Sequence, residues 1–236
     1  MAALRNVAFG AAAIAALMLL ASGPGTRLGA WSFGTSFMLL RWALYIGLGA
    51  AVVALVLLFI PRARAGRTWM LVVAIALGLI AATPPLALRS KASSVPYIHD
   101  ISTDTTDPPA FVALLGERKS SPNGADYGGA KIAEQQAQAY PDVKSRILSM
   151  PPPQAFTRAL EAARAMGWEI AAADSGTGRI EATATTLWFG FKDDVIVRVR
   201  PQGDGSRLDV RSVSRVGLSD LGANAARIRE YLSKLN

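Results

Sequence analysis

The chain has 236 residues, with 51% hydrophobic content, 25 basic and 17 acidic side chains, and no cysteine. Without thiols there are no disulfides, zinc–thiolate centres, iron–sulfur clusters or cysteine nucleophiles, and the single histidine, His99, excludes a histidine-rich metal site. Every acid lies at or beyond Asp100, so six of the eight net positive charges fall in residues 1–88, mostly in loops between apolar runs rather than in a nucleic-acid-binding face.

Three apolar runs fill the first 90 residues: Leu4 to Ser22, Trp42 to Ile60, and Thr68 to about Leu88. About 20 helical residues cross a ~30 Å hydrocarbon core, so each is a candidate span. The second is the strongest, with 18 consecutive uncharged residues (ALYIGLGAAVVALVLLFI) after an interfacial Trp42. In the third, Pro84-Pro85 is expected to end or kink the helix, leaving Trp69–Ala82 uninterrupted, about 21 Å. The segment Pro61–Arg67 holds three arginines, which places that loop in the cytoplasm. The amino terminus is then inside, residues 23–36 form an external loop, and the chain from residue 89 on emerges outside. The charges of Arg89 and Lys91 oppose this orientation. A cleaved signal peptide is an alternative for the first run, since Ala21-x-Gly23 has a small-residue pattern, although Pro24 follows directly. Either version exports the C-terminal part.

Residues 90–107 are rich in Ser, Thr, Asp and Pro and read as a linker, with a short strand at Tyr97–Ile101. Pro151-Pro152-Pro153 precedes a helix over Gln154–Met166 that buries Phe156, Leu160, Ala163 and Met166 and stops at Gly167. Four strands follow: Trp168–Ala173, Arg179–Thr186, Lys192–Arg200 and Ser206–Arg215, with turns at Asp174–Gly178 and Pro201–Gly205. Their alternation puts Val195, Val197, Val199, Leu208 and Val210 on one face, and Arg198, Arg200, Arg207 and Arg211 on the other. A final helix is expected near Ser219, with Leu221, Ala225, Ile228, Leu232 and Leu235 buried. The fold class is therefore a transmembrane α-helical region of about three spans (1–89) followed by an exported soluble α+β domain (90–236). That domain has an antiparallel sheet of four or more strands with two helices packed on one face.

The segments DISTDTTDPPAF (100–111), YPDV (140–143), RIEATATTLWFGFKDDVIVRVRP (179–201) and DVRSVSRVGLSDLGANAARIREYL (209–232) resemble a bacterial domain-of-unknown-function family, number fourteen-ninety-nine. The resemblance covers roughly residues 97–235. It implies an envelope-associated domain behind a membrane segment and supplies no activity.

Three places carry candidate ligand-binding chemistry. Lys192, Asp193 and Asp194 follow the aromatic run Leu187–Phe191, where adjacent carboxylates suit a hard cation and the aromatics suit a lip, or else the rings plug the core and the charges face water. Arg198, Arg200, Arg207, Arg211 and Arg215 suit bidentate capture of phosphate or carboxylate, with Arg198, Arg200, Arg211 and Arg215 the foremost, or else pair with Asp209 and Glu181 on a solvated sheet. A helix start at Ser219, with Asn224 and Arg227 nearby, suits an anion, or is a plain cap. No catalytic residue, metal site or cofactor motif is assigned: the G-x-S-x-G, S-x-x-K and H-E-x-x-H patterns are missing. His99 beside Asp100 reads as a surface pair, and Asp100, Asp104 and Asp107 as turn formers. The leading functional reading is a membrane-anchored envelope protein at the cytoplasmic (inner) membrane, with its C-terminal domain on the periplasmic side. Its partners are the lipid bilayer and an envelope protein or anionic ligand, with no nucleic acid. The alternative is a carboxylate-dependent, cation-assisted hydrolase using Asp193, Asp194 or Asp220.

Overall fold

A computed structural model describes residues 1–235 and separates into two compact units: Met1–Lys91 with Leu187–Gly190, and Ala92–Thr186 with the chain from Phe191 on. In the first unit α1 (Ala2–Arg27), α2 (Phe33–Leu58) and α4 (Thr68–Ser94) are each long and apolar enough to cross a membrane. A single turn, α3 (Pro61–Arg64), lies between the second and third. At 26 or 27 residues each, the long helices extend about 40 Å, beyond the ~30 Å of a hydrocarbon core.

Two expectations are corrected here. The first connection, expected over 23–36, is shorter, because α1 continues through Pro24 to Arg27 and α2 begins at Phe33. The third helix does not stop at Pro84-Pro85 but runs to Ser94 with both prolines inside it. Proline removes a donor from the helical ladder, a loss that transmembrane helices tolerate when neighbouring groups compensate.

Small residues set the helix spacing. A Cβ on Gly47 would lie 2.8 Å from the Gly78 carbonyl oxygen, and one on Gly78 would lie 2.3 Å from that of Gly47, so α2 and α4 meet backbone to backbone. At the start of α1, buried Arg5 donates to the carbonyls of Ala63 (3.1 Å) and Ala65 (3.4 Å), fastening the helix to the arginine-bearing turn.

The second unit is built on a six-stranded antiparallel sheet. Its strands are β1 (Asp100–Ser102), β2 (Arg146–Leu148), β3 (Glu169–Asp174), β4 (Arg179–Thr185), β5 (Lys192–Gln202) and β6 (Gly205–Ser214). The order is β1-β6-β5-β4-β3, with β2 also paired to β6. Register places Val197 opposite Val210 and Val199 opposite Leu208, an apolar stretch of one face that gives way to Ser212 opposite Val195. Two helices, α7 (Pro152–Ala165) and α8 (Ala223–Ser233), bury Ala155, Phe156, Ala159, Ile228 and Tyr231 in the core with this face. Pro152 and Pro153 suit the first turn of α7, where no intrahelical donor is needed. Tyr231, which lies off the predicted buried stripe, stacks on Trp168 at 4.9 Å and donates to the Ala159 carbonyl at 2.9 Å. Gly178 closes the β3–β4 turn at φ +66, with no room for a Cβ beside the Val199 carbonyl.

The opposite sheet face is not solvated. The chain after β1, with α5 (Leu115–Ser120), supplies its cover, and Phe111 and Leu114 form a second small core with Ile196 and Val213, while Ile132 of α6 (Gly129–Ala139) packs against the main core. Gln136 of α6 acts as a surrogate strand: its amide accepts from the Ser102 N–H at 2.9 Å and donates to the Ser102 carbonyl at 2.6 Å.

Candidate functional site

Strand alternation sends Glu181 and Thr183 of β4, Asp194, Arg198 and Arg200 of β5, and Arg207, Asp209 and Arg211 of β6 to the covered face. There they form three charge groups. At one end Arg198, Arg200 and Arg207 converge on Asp104, their nitrogens 3.4, 3.4 and 2.6 Å from its Oδ2. The same three arginines reach Asp209 at 3.0, 3.0 and 2.9 Å, and Ser145 Oγ donates to Asp209 at 2.6 Å. Arg198 and Arg200 also reach the Asp107 carboxylate at 3.1 and 2.9 Å. Asp107 is 63% exposed, whereas Asp209 is fully buried. Burial pushes the Asp209 carboxyl up, but hydrogen bonds from Ser145, Arg207 and Arg198 outweigh it and hold the group below the usual aspartate value.

In the middle Arg211 is bidentate to Asp100 at 2.9 and 2.7 Å, donates to the carbonyls of Pro109 and Ala125, and lies 5.5 Å from the ring centroids of both Phe111 and Tyr127. The Glu181 carboxylate accepts the backbone N–H groups of Val112, Ala113 and Leu114 at 2.9–3.0 Å, which holds the covering segment on the sheet. Burial and the Asp100 charge raise the Tyr127 hydroxyl to about 12. At the far end Asp194 accepts from Arg215 at 2.8 Å, from Thr183 Oγ1 at 2.9 Å and from buried Arg118 at 3.5 Å.

This geometry revises the expected anion face. Arg211 is 2% exposed and its donors are occupied, and Arg215 is committed to Asp194, so neither joins Arg198 and Arg200 around one ligand. Of the remaining arginines of that face, Arg207 stays with them, on the facing strand in register with Arg200.

Asp193 and Asp194 do not share a cation, because neighbouring residues of a strand point to opposite faces. Asp194 lies on the covered face, and Asp193 turns toward α8 to pair with Arg227 at 2.5 Å. Lys192 is exposed at the start of β5. Asn224 is buried, hydrogen-bonded to Ser212 Oγ, Ser214 Oγ and the His99 carbonyl, and so is a structural clamp between α8 and the sheet.

The helix start predicted at Ser219 falls instead at Ala223, after Gly222 at φ +77. The Asp220 carboxylate already accepts the N–H groups of Gly222 and Asn224 at 2.8 Å, so this helix terminus carries its own anion, while Ser219 Oγ accepts only the Leu221 N–H. Burial pushes the Asp220 carboxyl up despite those bonds. His99 does not pair with Asp100, which is buried against Arg211; its Nδ1 lies 3.4 Å from the Leu218 carbonyl oxygen. Among the described residues no group of three or more His, Cys, Asp or Glu is placed to hold a metal ion.

Sequence reasoning missed Asp104, Asp107 and Ser145 as partners of the arginines. Asp104 also closes its own turn, accepting from the N–H groups of Thr106 and Asp107, and that local role is all the D-T-T-D spacing displays.

The molecule is thus a set of three long apolar helices followed in the chain by an α+β domain with one apolar sheet face and one face of ion pairs. The chain belongs to the family described as protein of unknown function (DUF1499), whose model matches residues 100–235. Among curated proteins no match is found.

Proposed function

We propose that this is a membrane-anchored, non-enzymatic module of the cell envelope that holds an anionic group at the Arg198–Arg200–Arg207 cluster. The apolar helices anchor the chain in the cytoplasmic membrane, and the Arg62–Arg67 loop on the cytoplasmic side puts the C-terminal domain on the periplasmic side.

The observation that carries the reading is the convergence of three guanidinium groups from two strands on Asp104, with the exposed Asp107 carboxylate bridging two of them. Arg200 and Arg207 are 38% and 31% exposed. An ion pair with a carboxylate as exposed as Asp107 contributes only ~0–1 kcal/mol, so a phosphate or carboxylate of a ligand can replace it with little loss to the fold. Asp104 and Asp209 stay as the fixed counter-charges that hold the guanidinium planes in place.

The test is thermal melting of the full chain in neutral-lipid nanodiscs, with inorganic phosphate or chloride at matched ionic strength. Phosphate is expected to raise the melting temperature of the wild type and to lose that effect in Arg200→Gln/Arg207→Gln. An identical phosphate response in both proteins refutes the site.

A further inference from the structure

We propose that the tip of the β4–β5 hairpin, Leu187–Gly190, is a membrane-inserting finger that sits among lipid acyl chains at the bilayer boundary. This is separate from the anion reading and does not depend on it.

The connection Thr186–Phe191 brings Leu187, Trp188, Phe189 and Phe191 into one short turn. The turn is a defined shape: the Thr186 N–H donates to the Phe191 carbonyl at 2.8 Å, the Phe191 N–H donates to Thr186 Oγ1 at 2.8 Å, and Gly190 supplies φ +71. Leu187 is 86% exposed and Trp188 43%. Exposed large apolar side chains elsewhere in the α+β unit, such as Tyr97, Ile147 and Leu218, lie apart from one another in the chain and raise no such question.

The second observation names the occupant. Leu187–Gly190 belongs to the compact unit of the apolar helices rather than to that of its own strands. Phe189 packs against the cluster of Leu19, Leu40 and Ala43, as Leu88 does, and its ring lies 5.8 Å from that of Phe37. The Trp188 indole occupies the space that a Cβ on Gly23 would need, and Arg27 donates to the Leu187 carbonyl at 2.6 Å. These partners come from the last turns of α1, the first turns of α2 and the later part of α4. Those are the ends of helices long and apolar enough to span a bilayer, where tryptophan is enriched and a guanidinium reaches the headgroups. With Trp188 and Phe189 on the helix ends, Leu187 is the side chain left uncovered at the level of the acyl chains.

The absence of cysteine permits a direct test in the full chain. A nitroxide is attached at Leu187→Cys, and at Asp204→Cys in the β5–β6 turn as a control, in liposomes of phosphatidylcholine and phosphatidylglycerol. Power saturation is expected to show the Leu187 position favouring oxygen, with collision with a water-soluble nickel chelate several-fold below that at Asp204. Equal nickel access at both positions overturns the proposal. A label shielded from both reagents overturns it as well, because it places Leu187 against protein and not lipid.

Discussion

Arg211→Ala is the sharpest probe of the covered sheet face. The side chain is 2% exposed and its Asp100 partner 5%, and the guanidinium also holds the carbonyls of Pro109 and Ala125. Truncation strands a buried carboxylate, which costs ~3–5 kcal/mol, and leaves two carbonyls short of a donor, at ~1 kcal/mol or more for each that water does not reach. The expected loss is about 4–6 kcal/mol, a large share of the ~5–15 kcal/mol of a typical domain. At about 1.4 kcal/mol per decade this corresponds to roughly three to four decades of amide protection. Hydrogen–deuterium exchange mass spectrometry on peptides covering β5 and β6 of the full chain in detergent reads that quantity directly. Arg211→Met/Asp100→Leu is expected to recover much of the loss, because it leaves no charge behind. A loss below tenfold in Arg211→Ala refutes the claim that the pair secures this face. A double variant as poor as the single one shows instead that packing against Phe111 and Tyr127, and not the stranded charge, carries the effect.

Two further outcomes are expected. Asp209 has its folded-state pKa held below its unfolded value, so its contribution to stability is present above about pH 4 and is lost as pH falls from there through the folded value. The stability advantage of wild type over Asp209→Asn, measured by urea midpoints, should therefore shrink between pH 6 and pH 3; an advantage that stays constant shows that ionisation of Asp209 contributes nothing. For topology, alkaline phosphatase fused to the C-terminus is expected to be active, and an inactive fusion alongside a fluorescent cytoplasmic reporter reverses the assigned orientation.

What the sequence determined by itself rests on interactions that are local or periodic. Runs such as ALYIGLGAAVVALVLLFI declare apolar helices because length and hydropathy alone decide whether a segment matches a bilayer. Alternation in Lys192–Arg200 and Ser206–Arg215 declares strands and sorts Val197 from Arg198, since successive side chains of a strand must face opposite ways. The same rule separates Asp193 from Asp194, two carboxylates that look like a cation pair only while the chain is read as a line.

The tertiary structure decided what covers each face and which charge meets which. The partners of the arginines come from the chain before β2, about a hundred residues upstream: Asp100 for Arg211, and Asp104 and Asp107 for Arg198, Arg200 and Arg207. Nothing in a D-T-T-D turn reveals that its carboxylates will lie on a distant sheet, because a turn satisfies its own backbone wherever it is placed. The passage of α4 through Pro84-Pro85 and the left-handed Leu221-Gly222 step before α8 are of the same kind. In each, the backbone that forms departs from the local preference of one residue type, proline in α4 and the non-glycine Leu221 at φ +54, by a few kcal/mol or less.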